Sequence, residues 1–149
     1  MRIAIFGTGG AGGYFGAQLA RAGEDVIFIA RGKHLQAIHT QGLRVETSKG
    51  EIVIQPAQAV DDPAQVGVVD SVIVGVKTWQ VTEAARAMKP MIGPNTFMVP
   101  LENGVEAPWQ LAEVVGADHV LGGLCGTMSW IVGPGHIRSI GEMNFIKFG

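Results

Sequence analysis

The run Gly7-Thr8-Gly9-Gly10-Ala11-Gly12 constrains this chain more than any other feature. A G-x-G-x-x-G spacing is weak evidence alone in a chain with 22 glycines among 149 residues, so its flanks decide the reading. Arg2–Phe6 (RIAIF) is an apolar run of strand character that stops at Gly7. A helical pattern follows from Gly12 to Ala22, with Phe15, Leu19 and Ala22 on one face and Gly23 as the stop. Asp25–Ala30 (DVIFIA) is a second apolar run. Strand, glycine turn, helix and strand within about 30 residues make a βαβ unit. In such a unit the first glycine permits a tight turn, the second lets backbone approach a pyrophosphate, and the third lets the helix pack close to the strand. Backbone N–H groups and the positive end of the helix dipole then face the phosphates. Gly7, Thr8, Gly9, Gly10, Ala11 and Gly12 are therefore candidate cofactor-binding residues.

The rest of the chain continues the alternation. Lys33–Thr40 reads as a short helix, and Leu43–Thr47 with Glu51–Gln55 as a hairpin turning at Ser48-Lys49-Gly50. Asp70–Val76 (DSVIVGV) is nearly continuous in apolar residues, as a central parallel strand should be. A helix is expected from Thr78 to Lys89, a strand over Asn95–Val99, a helix between Glu106 and Val115 with Pro108 in its first turn, and a strand over His119–Leu124. Ser129 to Phe148 reads as a hairpin around Gly133-Pro134-Gly135, at the domain edge. The fold class is α/β: a Rossmann-type, doubly wound, mainly parallel sheet with an added edge hairpin. A composition 47% hydrophobic and 16% charged suits a sheet buried on both faces. The chain is either a minimal domain or stops where a second domain begins.

Several classes are disfavoured. A net charge of −2 offers no basic surface for nucleic acid. Val66–Val76 is too short for a membrane span and carries Asp70. Only four apolar residues separate Met1-Arg2 from the glycines, so no secretory signal is read and a cytoplasmic location is expected. The single Cys125 reads as an inert core thiol, and no histidine pair has metal-ligand spacing.

Ligands of parallel sheets bind beyond the carboxyl ends of the strands. After the second strand an NAD-binding unit carries an acid for the ribose hydroxyls; here stand Ala30 and Arg31, with Lys33 nearby. A guanidinium suits a 2′-phosphate instead, which points to NADP(H). Glu24 and Asp25 lie at the wrong end of that strand. The same rule picks Lys77, directly after Asp70–Val76, and Asn103 in Leu101-Glu102-Asn103-Gly104. Lys77 suits a phosphate or substrate carboxylate, Asn103 the nicotinamide ribose or a substrate oxygen. Among the histidines, His34 is placed to join Arg31, His119 lies at the end away from the cleft, and His39 and His136 read as surface residues. No good general acid stands beside Lys77 and Asn103.

The motif Gly7–Gly16 (GTGGAGGYFG), the strand end Ile29–Arg31 (IAR), Val76–Gln80 (VKTWQ), Glu102–Gly104 (ENG) and the late Gly-Pro-Gly hairpin together resemble the ketopantoate reductase family. The resemblance covers essentially the whole chain. It implies NADPH-dependent reduction of a 2-oxoacid, 2-dehydropantoate to pantoate, on the way to pantothenate and coenzyme A. It assigns the pyrophosphate to the glycine loop, the 2′-phosphate to Arg31, and positions near nicotinamide and substrate to Lys77 and Asn103. Members of the family are about twice as long; a second, helical domain supplies the general-acid lysine, a substrate-binding glutamate and much of any dimer interface. The expectation is thus a cofactor-binding half, residues 1–149, inactive alone. A reductase acting on another oxo- or hydroxyacid and a non-catalytic NADP-sensing module are the alternatives.

Overall fold

Four of the expected strands, with a short fifth at Gln58–Val60 that the sequence reading left unassigned, assemble into one parallel sheet. The computed structural model describes residues 1–149, with β1 (Arg2–Phe6), α1 (Gly10–Arg21), β2 (Asp25–Ile29), α2 (Gly32–Gln41), β3 (Leu43–Thr47), β4 (Gly50–Ile54), β5 (Gln58–Val60), β6 (Val69–Val74), α3 (Val81–Met88), β7 (Ile92–Pro100), α4 (Ala107–Val115), β8 (Gly123–Gly133) and β9 (His136–Phe148). The main sheet has the order β5-β2-β1-β6-β7, every neighbouring pair parallel. This is a Rossmann-type α/β arrangement, and its strand order reverses between β1 and β6.

Alternation along the strands divides the apolar residues between two cores. Ile3, Ile5, Val26, Phe28, Ile73 and Val99 face α1 and form one core of 17 buried residues. Ala4, Phe6, Ile27, Ile29, Val72, Val74 and Met98 face α3 and α4 and form another of 16. Both faces of each central strand are covered, which is why Asp70–Val76 reads as a nearly unbroken apolar run.

The two hairpins do more than decorate an edge. They join in a second, four-stranded sheet of order β4-β3-β9-β8, in which β3 and β9 run parallel through Val45 and Ile137. This sheet lies on the far side of α1, so the helix is enclosed between two sheets. Its buried residues, Gly12 through Ala17, are consecutive rather than confined to one stripe. The one-face pattern expected of α1 is corrected accordingly: Ala22 is exposed, while small residues allow contact all round. Gly10 lies against the backbone of Ser129 and Trp130 in β8, Gly13 against Ile137 in β9, and Gly16 against Ile5 and Phe28 in the main sheet.

Other differences are local. Thr78–Gln80 is a 3-10 turn before α3 rather than its first turn. The strand expected over His119–Leu124 is replaced by a 3-10 turn at Ala117–His119, a single bridge from Val120 to Met98, and the start of β8 at Gly123. The chain crosses there from one sheet to the other, and Gly123 lets it pass Pro100, whose carbonyl oxygen would stand 2.0 Å from a Cβ.

Enclosure of α1 makes a testable demand. A Cβ on Gly10 would lie 2.2 Å from the Ser129 oxygen and 2.6 Å from its carbonyl carbon, both backbone atoms that cannot rotate away. Gly10→Ala should therefore lower the unfolding free energy by about 1–3 kcal/mol, the usual cost of overpacking. Urea denaturation measures this; an unchanged midpoint would mean that β8 is free to move off the helix.

Candidate functional site

The loops leaving β1 and β6 diverge at the reversal point and border a cleft of about 670 Å³. Its floor is a contact among glycines. Gly7 has φ +100°, and a Cβ there would meet Gly75 and Val76 at 2.9 Å. A Cβ on Gly12 would meet the Gly7 oxygen at 2.2 Å, and one on Gly75 would meet Gly12 Cα at 3.2 Å. Gly12 is thus a packing residue that brings α1 onto β1, and it does not border the cleft. Gly9 differs. Its φ is −86°, and an added Cβ would meet only the Gly75 oxygen, at 4.0 Å. Nothing in the fold requires a glycine there; the space is open on the cleft side.

Gly9 is also the N-cap of α1, with no side-chain cap bond and no acidic residue in the first turn. The first intrahelical bond, from Gly13 N–H to the Gly9 carbonyl at 2.8 Å, leaves the preceding N–H groups without helical acceptors. An uncapped helix start behind an open glycine suits the pyrophosphate of a dinucleotide.

The cations stand around this point. Arg31 follows β2, Lys77 follows β6, and Asn103 follows β7; all three border the cleft and all are exposed. Arg31 and Lys77 take no part in the chain's ion pairs, which use other groups. The Lys77 N–H donates to the Gln80 side chain at 3.1 Å, and the Asn103 carbonyl accepts from the Thr78 hydroxyl at 3.2 Å, so the two loops are tied together. Of the sequence candidates, Gly7, Thr8, Gly9, Gly10, Ala11, Arg31, Lys77 and Asn103 meet on one cleft. Glu24 and Asp25 lie at the opposite end of the sheet, paired with the Met1 amino group and with Arg2.

Three features escaped the sequence reading. The second sheet contributes a wall, with Cys125, Thr127 and Ser129 of β8 facing the cleft at every second position; that alternation is visible in the sequence, but not its direction. Cys125 is therefore half-buried at the cleft rather than a core thiol. Its Sγ donates to the Leu101 carbonyl at 3.6 Å, and burial, with Glu102 nearby, pushes the thiol up, away from the reactive thiolate. Gly75 is the fourth glycine of the floor. Glu102 borders the cleft as well, and burial pushes its carboxyl up to about 7, so an acid–base group does stand beside Asn103. A buried carboxyl next to a chosen residue carries no sign in one sequence that distinguishes it from a solvated one.

Fold and cleft define a Rossmann-type α/β domain with a glycine loop at an uncapped helix start. The model of the ketopantoate reductase PanE/ApbA family matches residues 3–149, and the chain belongs to that family. It is 33% identical over 139 residues to the 2-dehydropantoate 2-reductase of Nostoc sp., covering 93% of this chain and 43% of that protein. The crystal structure of 2-dehydropantoate 2-reductase from Geobacter metallireducens superposes with a TM-score of 0.94 at 33% identity, over 100% of this chain and 49% of the other. D-mandelate dehydrogenase, solved with NADH and anilino(oxo)acetate, gives a TM-score of 0.86 at 26% identity, over 95% of this chain and 46% of that one. The chain thus spans under half the length of these relatives.

His34 clamps the site from behind. Its Nε2–H donates to the Thr8 carbonyl at 2.8 Å, and its Nδ1 accepts from the Gly135 N–H at 2.9 Å. The two bonds require the neutral ring with the proton on Nε2, and burial, outweighing the bond to Thr8, holds its pKa below the ordinary value. Thr8 is fixed further by its hydroxyl bond to the Ile29 carbonyl at 2.9 Å. The glycine loop, the end of β2 and the turn between β8 and β9 are thereby joined. A histidine with a lowered folded pKa adds no pH dependence above the unfolded value of about 6.5; below it the unfolded chain takes a proton that the folded state resists. Unfolding free energy should therefore fall as pH drops below about 6.5, and His34→Gln should flatten part of that fall. Urea titrations across this range on both proteins test it; identical slopes would mean that the clamp accepts a proton freely.

Proposed function

We propose that this chain is the cofactor-binding half of an NADPH-dependent 2-oxoacid reductase, with 2-dehydropantoate as substrate. One observation carries the reading: the open Gly9 at an uncapped helix start, flanked by two cations without partners. Family membership and the names of the relatives support the substrate. The glycine loop would hold the pyrophosphate, Arg31 the 2′-phosphate, and Lys77 and Asn103 the nicotinamide end and the substrate. NADPH, when bound, supplies a hydride to the ketone carbon. The residues of this chain orient both reactants and neutralise charge. The general-acid lysine and the substrate glutamate implied by the family resemblance would lie in the further length that the relatives have.

A second reading rests on the D-mandelate dehydrogenase likeness: the same half-fold there accompanies NADH and a different oxoacid analogue. Arg31 decides between the cofactors. A charge-assisted pair contributes roughly 1.5–3 kcal/mol, or ten- to a hundredfold in affinity. Calorimetric titration should show NADPH binding tighter than NADH by that factor, and Arg31→Ala should remove the preference. Equal affinities for the wild-type chain would favour the second reading.

The glycine loop is tested by Gly9→Val. Because a Cβ there meets nothing closer than 4.0 Å, the variant should still fold, losing about 1 kcal/mol through the poorer N-cap, yet lose NADPH binding. Normal binding by a normally folded variant would make the loop only a turn. The 149-residue chain should bind NADPH without measurable ketopantoate reduction, whereas the protein extended to its relatives' length should turn over. There Lys77→Ala and Asn103→Ala should lower kcat/KM more than they weaken NADPH binding, and steady-state kinetics beside titration would show whether they do.

A further inference from the structure

Glu102 is an ionisable group of the cleft to which the reading above gives no part. It lies two residues beyond β7, between buried Leu101 and exposed Asn103. Both carboxylate oxygens are shut off from solvent and make no hydrogen bond of normal length and angle, although backbone amides lie near them and the residue borders the cleft. A carboxylate in that position is costly as an anion. Burial dominates, and the amides of Glu102, Val76 and Leu101, which favour the anion, do not outweigh it; the carboxyl is pushed up to about 7.

The surroundings offer no paired cation. From β8 it is faced by the Cys125 thiol, which is neutral. From the loop after β6 come the Val76 backbone and, on the exposed rim, Lys77. The other titratable groups of the cleft are Arg31 and His34 on the β2 side and Glu83 on α3. Glu102 forms no ion pair with any of them.

We propose that Glu102 makes cofactor binding proton-linked: it takes up a proton when the polyanionic dinucleotide enters the cleft, so that a neutral carboxyl replaces a carboxylate in the wall. The incoming negative charges repel the buried carboxylate through protein that screens little, which favours its protonated form. Glu102 would be a positioning residue that sets the pH range of binding, and the proposal rests on the dinucleotide reading of the cleft.

A carboxyl half-protonated near pH 7 and fully protonated in the complex takes up about 0.5 proton at that pH, and affinity then weakens about threefold per pH unit. Calorimetric titration of the 149-residue chain with NADPH, at pH 7 in buffers of different ionisation enthalpy, reads the uptake directly. Glu102→Gln keeps the size and removes a buried charge, so folding should survive; any titration of the 2′-phosphate is common to both proteins and cancels in their difference. The wild type should exceed E102Q by about half a proton, and E102Q should bind with a flatter pH dependence. A measurement without a variant runs beside it: the Glu102 carboxyl carbon, followed by 13C NMR in glutamate-labelled chain, should titrate near neutral pH and move upward when NADPH is added. Equal uptake in the two proteins, or a carboxyl carbon unmoved by bound NADPH, would overturn the coupling alone. No NADPH binding at any pH would overturn the cofactor reading and the coupling with it.

Discussion

The close approach of helix α1 to two sheets at once is the constraint on which the rest depends. A helix with ordinary side chains stands about 10 Å from a sheet; this one carries glycine wherever backbone or core crowds it. Gly12 meets the Gly7 loop, Gly16 meets Ile5 and Phe28, and Gly10 and Gly13 meet the second sheet at Ser129 and Ile137. Removing side chains from four positions costs helix propensity, about 1 kcal/mol each. What the fold gains is placement: the uncapped start of α1 is pinned at the reversal of strand order and against β8. The cleft therefore has walls from both sheets, although its glycine loop belongs to neither.

The same constraint explains what was legible beforehand. The βαβ unit could be read because its evidence is local: two apolar runs, a glycine turn, and a length that leaves one way to connect parallel strands. The carboxyl-end rule then found Arg31, Lys77 and Asn103, since it needs only strand direction. The partnership of the two hairpins could not be read. Leu43–Ile54 and Gly123–Phe148 each pair internally, and nothing local in Val45 or Ile137 announces that they will lie side by side in a parallel ladder. The wall supplied by β8 and the two-sided burial of α1 follow from that pairing, so both were missed for one reason. Glycines 10, 13 and 16 did carry a signal, because a surface helix has no use for so many.

Charge is distributed with a direction that a net value of −2 conceals. At the amino end of the main sheet, Glu24 pairs with the Met1 amino group, Asp25 with Arg2, and Asp70 accepts from the Arg2 amide. On the second sheet, Glu46 gathers Arg44, Arg138 and His136, and Arg44 also holds Glu51. Both regions neutralise their own charge. The carboxyl end does not: Arg31 and Lys77 are left without partners on its rim, beside the positive end of the α1 dipole. The anion site proposed there would use fixed groups already in place, with no ion pair to break.

Glu102 sets a limit on that attraction. Exposed cations interact through solvent and are screened by it, whereas a buried carboxylate beside the same cleft acts through protein and is screened little. One unprotonated acid below the rim can therefore oppose a polyanion more than its single charge suggests. Protonation removes the opposition without moving an atom of backbone. If the cleft holds a dinucleotide as proposed, free cations at its edge and a carboxyl near neutrality in its wall would make it more attractive to that anion as pH falls, until His34 takes a proton and the clamp behind the glycine loop is weakened. On that proposal the two residues would bound the pH range of binding from opposite sides, one through the ligand's charge and the other through the glycine loop.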